Sequence, residues 1–337
     1  MMSENHKEIG VIGGGAWGTA LACALAQKGH RVILWMRASE QAQNMTDSRE
    51  NSRYLPGVLL PAALCPTAEM KDLRNCEVYF VVVPTQNLRT VMRQFKQVLS
   101  EKSLFVLCAK GIEQQSGLFP SQIFAEEYPQ GVVSILSGPS FAHDVVRGLP
   151  TAVTLAAHDP VTAQELAHSI SSKTFRVYHG TDVTGVEIGG AAKNVYAIGC
   201  GAIMGRGFGE SAKAALIARS FAELLRFSAY LGGKSETLMG LSGLGDLLLT
   251  CNSSQSRNFS FGHQLGQKGF RQEGKNQKLA EGAFTAPVLA HLARKFSVEM
   301  PIAETIHALL AHEVTLDDAI ESLLTRPVKP EHRTSAQ

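Results

Sequence analysis

A short apolar run, Glu8-Ile9-Gly10-Val11-Ile12, passes directly into Gly13-Gly14-Gly15-Ala16-Trp17-Gly18, and this junction constrains the fold more than any other feature of the chain. Gly13, Gly15 and Gly18 give the G-x-G-x-x-G spacing. In that arrangement the first glycine makes a tight turn, the second admits a pyrophosphate against the backbone, and the third lets helix and strand pack closely. A chain with 31 glycines can produce this spacing by chance, so the flanking residues decide its meaning. Leu21, Ala22, Ala24 and Leu25 follow at helical spacing, Gly29 stands where a helix end is expected, and Arg31-Val32-Ile33-Leu34-Trp35 reads as a second buried strand. The whole is one βαβ unit whose helix N-terminus offers free N–H groups and a positive dipole end to a phosphate.

An acidic side chain at the end of the second strand bonds a ribose 2′-hydroxyl and repels a 2′-phosphate. Here Arg37 stands in that region, and the first carboxylate after it is Glu40. A guanidinium suits a 2′-phosphate, so either NADP(H) or NAD(H) is admitted and NADP(H) is favoured. The plainer alternative is an Arg37 that covers the adenine face or is simply solvated.

Strand-like apolar runs continue at 77–83, 104–108 and 132–136, and continuous runs of this kind fit a parallel sheet covered on both faces. Residues 151–155 and 175–178 read as further strands of the same sheet. From Asp182 onward the alternation gives way to long helical stretches rich in Ala, Leu and Gly. The expected architecture is therefore α/β: a Rossmann-type doubly wound sheet domain over 1–181, an all-helical C-terminal domain over 182–326, and a loose tail over 327–337. Gly205-Arg206-Gly207-Phe208-Gly209 follows a helix rather than a strand, so it reads as a helix-end loop and not as a second phosphate loop.

The length of 337 residues supports two cores, and a formal net charge of +2 with scattered basic residues argues against a nucleic-acid partner and for a small anion. Six cysteines lie far apart, with no C-x-x-C pair and no close histidine, so they read as reduced core thiols and no metal site is expected. The polar start passes into the first strand without a signal-peptide apolar region, and no later stretch approaches membrane-spanning length. A cytoplasmic location is the expectation.

An active site in such a fold uses the carboxyl ends of the strands and faces the second domain. Pro84-Thr85-Gln86, Ala109-Lys110-Gly111 and Ser137-Gly138-Pro139-Ser140-Phe141-Ala142 each end a strand. In the helical half, Lys193 and Asn194 interrupt a small, apolar helix, where desolvation and a second cation would draw a lysine toward neutrality and make it a usable acid or base. Asp246 sits among apolar residues, which suits orienting a buried lysine, and Ser256-Arg257-Asn258 at a helix start suits gripping a phosphate. Against these stand a snorkelling Lys193, an Asp246 that is only an N-cap, and an Arg257 that is only a surface charge.

The glycine loop from Gly13 to Ala22, Ala109-Lys110-Gly111, Ser137 to Ala142, Ala192-Lys193-Asn194, Gly243-Leu244-Gly245-Asp246-Leu247 and Ser256-Arg257-Asn258 together give a chain that resembles the bacterial-type NAD(P)-dependent sn-glycerol-3-phosphate dehydrogenases over nearly its whole length. The resemblance implies that Lys193 is the proton acceptor, with Lys110 and Asp246 also catalytic. It implies that Lys110, Asn194, Asp246, Thr250, Ser256, Arg257 and Asn258 surround the substrate, with Gly138 and Ser140 at its edge. Beside the glycines, Ala16, Trp17, Arg37, Lys110, Ala142, Arg257, Leu279 and Glu281 would touch the cofactor. Ala16 stands where relatives often have serine, and Leu279 where valine is common. A homodimer that supplies glycerol 3-phosphate for phospholipid synthesis is also implied. The alternatives are a dehydrogenase of the 3-hydroxyacid or 6-phosphogluconate type, which can also use a lysine base, and a non-catalytic NADPH-binding sensor, which leaves Lys193, Asp246 and Arg257 without a shared purpose.

Overall fold

A computed structural model of the chain describes residues 6–100, 103–268 and 280–327. The first half comprises β1 (Glu8–Ile12), α1 (Ala16–Gln27), β2 (Arg31–Trp35), α2 (Ser39–Ser48), β3 (Glu50–Asn51), β4 (Leu55–Leu59), β5 (Leu64–Thr67), β6 (Val78–Val81), α3 (Thr85–Phe95), β7 (Leu104–Leu107), α4 (Pro120–Glu127), β8 (Val132–Ser137), α5 (Ala142–Val146), β9 (Thr151–Ala157), α6 (Pro160–Ile170) and β10 (Phe175–Gly180). Eight strands form one sheet in the order β10-β9-β8-β7-β6-β1-β2-β5. The chain runs from β1 to β2 and β5 on one side, then crosses to β6, β7 and β8 on the other. Such a reversal opens a crevice at the carboxyl ends of β1 and β6, where α/β proteins bind ligands.

The expected doubly wound sheet is present, with two features the apolar pattern did not convey. β8 and β9 are antiparallel, because the chain returns through the short α5 and lies back along β8. β9, α6 and β10 then form a further parallel crossover unit. β5 and the β3–β4 hairpin were not foreseen; Pro56, Pro61 and Pro66 interrupt that stretch and mask its strand pattern. Apolar side chains from both faces of the sheet pack beneath flanking helices, in one cluster with Leu21, Leu25 and Val32 and another with Tyr79, Phe105 and Phe124.

The second half is helical: α7 (Val183–Gly205), α8 (Glu210–Tyr230), α9 (Ser235–Met239), a π-turn at Leu241–Gly245, α10 (Asp246–Asn252), α11 (Arg257–Lys268), α12 (Glu281–Lys295), α13 (Pro301–Leu310) and α14 (Leu316–Leu324). α7 ends at Gly205 and the next helix starts at Glu210, so Gly205 to Gly209 is a helix-end loop as expected. α7 is the axle of this half, packed by α8, α10, α11, α12 and α13 and touching β8 and β9. Asp182 caps it: one carboxylate oxygen accepts from Gly185 N at 2.9 Å and the other from Lys234 N at 2.8 Å. Its small residues allow main-chain contact with α11. A Cβ on Gly201 would lie 2.1 Å from the Phe259 carbonyl oxygen, and one on Gly262 would lie 2.0 Å from that of Ile198.

Two buried acids lash further helices to this axle. Glu187 of α7 accepts from Ser121 N and Oγ at the start of α4, at 2.7 and 2.6 Å. Glu223 of α8 accepts from Ile302 N at 2.7 Å, Ala303 N at 3.2 Å and the Tyr196 hydroxyl at 3.3 Å. Burial pushes both carboxyls up to about 7. Each carboxylate satisfies N–H groups that a helix start leaves unpaired.

Candidate active site at the crevice between sheet and helices

Lys193 lies midway along α7 and is 7% exposed. Its Nζ donates to Asp246 Oδ1 at 2.5 Å and to Thr250 Oγ1 at 3.0 Å. The other carboxylate oxygen, Oδ2, accepts from Lys110 Nζ at 2.7 Å. Lys110 is carried on the loop after β7, and its ammonium also donates to the Gly138 carbonyl, at 3.2 Å, just past β8. One buried carboxylate thus bridges two ammonium groups from different halves of the chain. Burial, aided by the Lys110 charge, draws Lys193 down to about 8 against the pull of Asp246. Burial works to raise Asp246, but the charges and hydrogen bonds of Lys110 and Lys193 outweigh it and hold the group below the usual carboxylate range. The surplus positive charge suits an anionic substrate.

Asp246 opens α10 directly after the π-turn, and its side chain turns to the lysines rather than capping the helix. The turn itself is wedged into place: a Cβ on Gly189 would lie 2.5 Å from the Ser242 carbonyl oxygen, and one on Gly243 would lie 2.0 Å from that of Leu238. Thr250, one turn further along α10, donates to the Asp246 carbonyl at 2.6 Å and so presents its oxygen to Lys193.

Asn194 and Asn258 do more packing than the sequence suggests. Asn258 Nδ2 donates to Asn194 Oδ1 at 2.9 Å, and Asn258 Oδ1 accepts from Gly282 N at 2.9 Å. This joins α7, α11 and α12 and leaves one amide N–H of Asn258 for a ligand. Asn194 Nδ2 meets the Lys110 carbonyl at 3.5 Å. Ser256 Oγ accepts from Phe259 N at 3.2 Å and caps α11, which puts Arg257 in the first turn, exposed and without a hydrogen bond to any described residue. Glu281, at the start of α12, accepts from Thr85 N at 3.4 Å. Burial raises its carboxyl, opposed by that hydrogen bond and by the charges of Arg257, Lys193 and Lys110. The four groups therefore share one neighbourhood.

The glycine loop has the shape its spacing implies. Gly13 adopts φ +128°, and a Cβ on Gly18 would lie 1.8 Å from the Gly13 carbonyl oxygen. A Cβ on Gly15 would meet nothing within 4 Å, so that face of the loop is open to a ligand. Gln41 and Asn51 both donate to the Gly14 carbonyl, at 2.8 and 3.1 Å, and hold the loop from below. The first-turn N–H groups of α1 have no partner within the helix and point toward the crevice. Trp17 and Ala142 pack on the same core. Arg37 is exposed just past the end of β2, on the far side of β1 from Lys110. These residues fit a dinucleotide laid across β1, its phosphates over an open glycine and its far end toward Arg37.

Residues 8–163 match the family described as NAD-dependent glycerol-3-phosphate dehydrogenase N-terminus, and residues 182–321 match the C-terminus of the same description. The chain belongs to the NAD-dependent glycerol-3-phosphate dehydrogenase family. Glycerol-3-phosphate dehydrogenase (NAD(P)+) of Methylobacterium radiotolerans is 53% identical over 324 residues, which cover 96% of this chain and 98% of the relative. The protein of the same name from Parvibaculum lavamentivorans is 46% identical over 332 residues, covering 98% and 100%. The crystal structure of glycerol-3-phosphate dehydrogenase from Coxiella burnetii superposes with a TM-score of 0.89 at 35% identity, over 95% of this chain and 99% of that one.

In this family member the structure brings Lys110, Gly138, Ser140, Lys193, Asn194, Asp246 and Thr250 together around one carboxylate, with Ser256, Arg257, Asn258 and Glu281 along the facing helices. Ser140 Oγ donates to the Gly138 carbonyl at 3.1 Å. Leu279 and the tail past Pro327 lie outside the described residues. Gln41 and Asn51 escaped the sequence reading because a lone amide on a polar helix or hairpin carries no spacing signal. The cysteines are all free; five are buried, whereas Cys65 is exposed, against the expectation of core thiols throughout. No helix among the described residues is long and apolar enough to cross a membrane.

Proposed function

We propose that this chain interconverts dihydroxyacetone phosphate and sn-glycerol 3-phosphate with NADP(H) preferred over NAD(H). As a member of the family it is an NAD(P)-dependent oxidoreductase acting on a CH–OH group. The single observation that carries the assignment of roles is the Lys193–Asp246–Lys110 bridge at the mouth of the crevice. Gly13, Gly15, Ala16, Trp17, Gly18 and Ala142 would seat the dinucleotide, Arg37 its 2′-phosphate, and Lys110, Arg257 and Glu281 its reactive end. When bound, the cofactor supplies or accepts the hydride at the C2 carbon of the substrate. In oxidation, neutral Lys193 removes the C2 hydroxyl proton; in reduction, its ammonium form polarises the ketone and returns that proton. Asp246 stays ionised and orients Lys193, while Lys110 stabilises the substrate oxygen. Arg257 and the spare N–H of Asn258 hold the phosphate, whose binding energy places C2 for reaction.

Residues 1–181 would serve as the cofactor lobe and 182–326 as the substrate lobe, with 327–337 a tail. The family resemblance supports a cytoplasmic homodimer supplying glycerol 3-phosphate to phospholipid synthesis. Lys193→Ala tests the central role. It is expected to lower kcat by about 10^3-fold or more, on the scale seen when a proton-transfer residue is lost, with NADPH affinity unchanged. Joint loss of turnover and NADPH binding in a folded variant would remove Lys193 from the role. Arg257→Ala is expected to reduce the preference for dihydroxyacetone phosphate over dihydroxyacetone, and an unchanged preference would remove Arg257 from the phosphate site.

A further inference from the structure

Lys110 rides on a stretch, 108–113, that belongs to no helix or strand, yet it must hold its ammonium against Asp246. Two side chains of α3 grip the chain just beyond it. Gln86 Nε2 donates to the Ile112 carbonyl at 2.8 Å, and its Oε1 accepts from Gln114 N at 3.0 Å. One turn on, Arg89 forks onto Glu113, with Nε 3.0 Å from Oε1 and Nη2 2.8 Å from Oε2. The remaining Arg89 nitrogen, Nη1, donates to Glu126 at 2.5 Å and Glu127 at 2.9 Å on α4. Arg93 also reaches Glu127, at 3.0 Å, and the start of α4 is tied by Ser121 to Glu187 of the catalytic helix α7. Glu113 is 6% exposed and Glu127 8%. Stability alone gives no reason for such a cluster, since well-packed apolar side chains serve as well as buried ion pairs. A planar guanidinium fork does fix the direction of what it holds.

We propose that Arg89 and Glu113 are positioning residues that hold the 108–113 loop so that Lys110 stays on Asp246 beside Lys193. Neither touches the substrate. If the grip is lost the loop slides, Lys110 withdraws, and Lys193 keeps its proton to higher pH because a neighbouring cation has gone. The other charged or titratable groups that act with Lys193 are Asp246, Cys251 and Glu281, with Arg257 acting on Glu281, and a substitution at Glu113 leaves each of them intact. The inference rests on the reading of Lys193 as base.

The test is the pH dependence of kcat for glycerol 3-phosphate oxidation in the whole enzyme, with Glu113→Leu, Gln86→Leu and Arg93→Met beside the wild type, each paired with a thermal melt. Glu113→Leu is expected to move the rising limb up by about 0.5–1 pH unit, from loss of a nearby like charge, and to lower kcat about 10-fold through misplacement. Direct electrostatics work the other way, since removing a carboxylate favours the neutral lysine and moves the limb down. Gln86→Leu changes no charge and is expected to give the same upward shift, which decides the matter if Glu113→Leu fails to fold. Arg93→Met touches Glu127 but not Glu113, so its melt should fall with the limb in place. A wild-type limb left unmoved or moved down in the Glu113 and Gln86 variants overturns the inference alone. An equal shift in Arg93→Met overturns it as well, as mere loosening. A wild type with no limb overturns the Lys193 reading and the inference with it.

Discussion

In the proposed mechanism Asp246 is the residue on which the chemistry turns, because one carboxylate serves two lysines with different tasks. Taking it away would leave two ammonium groups short of a counter-charge, a situation that costs about 3–5 kcal/mol when the charges are buried. As the proposed acid and base, its partner Lys193 sets the pH profile. Oxidation needs the neutral amine and reduction needs the ammonium, and burial places the change at about 8. Oxidation of glycerol 3-phosphate is therefore expected to rise through pH about 8 and reduction of dihydroxyacetone phosphate to fall through the same region. Initial rates in both directions across that region check this, and parallel limbs in the two directions would contradict it. Lys193 and Asp246 were legible in the sequence because a charge in an apolar segment has to find a partner. Arg89 and Glu113 were not, because they sit in ordinary polar surroundings and meet only when α3 packs beside the 108–113 loop. Asn258 was read as a phosphate grip, yet half its hydrogen-bonding capacity is spent joining α11 to α7 and α12.

Among the elements, α7 and α11 carry the site between them, Lys193 and Asn194 on one and Arg257 and Asn258 on the other. Their contact runs through paired glycines four residues apart, Gly201 and Gly205 on α7 and Gly262 and Gly266 on α11, where any side chain would strike the opposite main chain. Gly262→Ala is expected to force the helices apart, destabilising the protein by about 1–3 kcal/mol as overpacking does. The displaced α11 would also raise KM for dihydroxyacetone phosphate through Arg257. Denaturant unfolding with steady-state kinetics measures both, and a variant of wild-type stability and KM would show that the contact is not so close. The helical nature of this half was plain from composition, but which helices touch was not, since glycine spacing marks close approach without naming the partner. In the sheet the polarity of β9 was hidden for a similar reason: a buried strand is apolar along its length whether parallel or antiparallel.

The whole molecule places a dinucleotide crevice on the sheet against a cationic site on the helices. The sheet order puts the glycine loop after β1 beside Arg37 after β2 on one side, with Lys110 after β7 on the other side, beyond β6. Glu281 reaches Thr85 across the gap, and Asp246 reaches Lys110. Pairings of this kind, 196 and 136 residues apart in sequence, have no signature in any local pattern. The most direct measurement is the initial rate of NADPH oxidation with dihydroxyacetone phosphate, run beside NADH and beside unphosphorylated dihydroxyacetone. Fast turnover that requires the phosphate and is faster with NADPH is the expected result. A folded, NADPH-binding protein that turns over neither ketone, or both equally, would contradict the assignment of Lys193, Asp246 and Arg257 to a phosphoketone site.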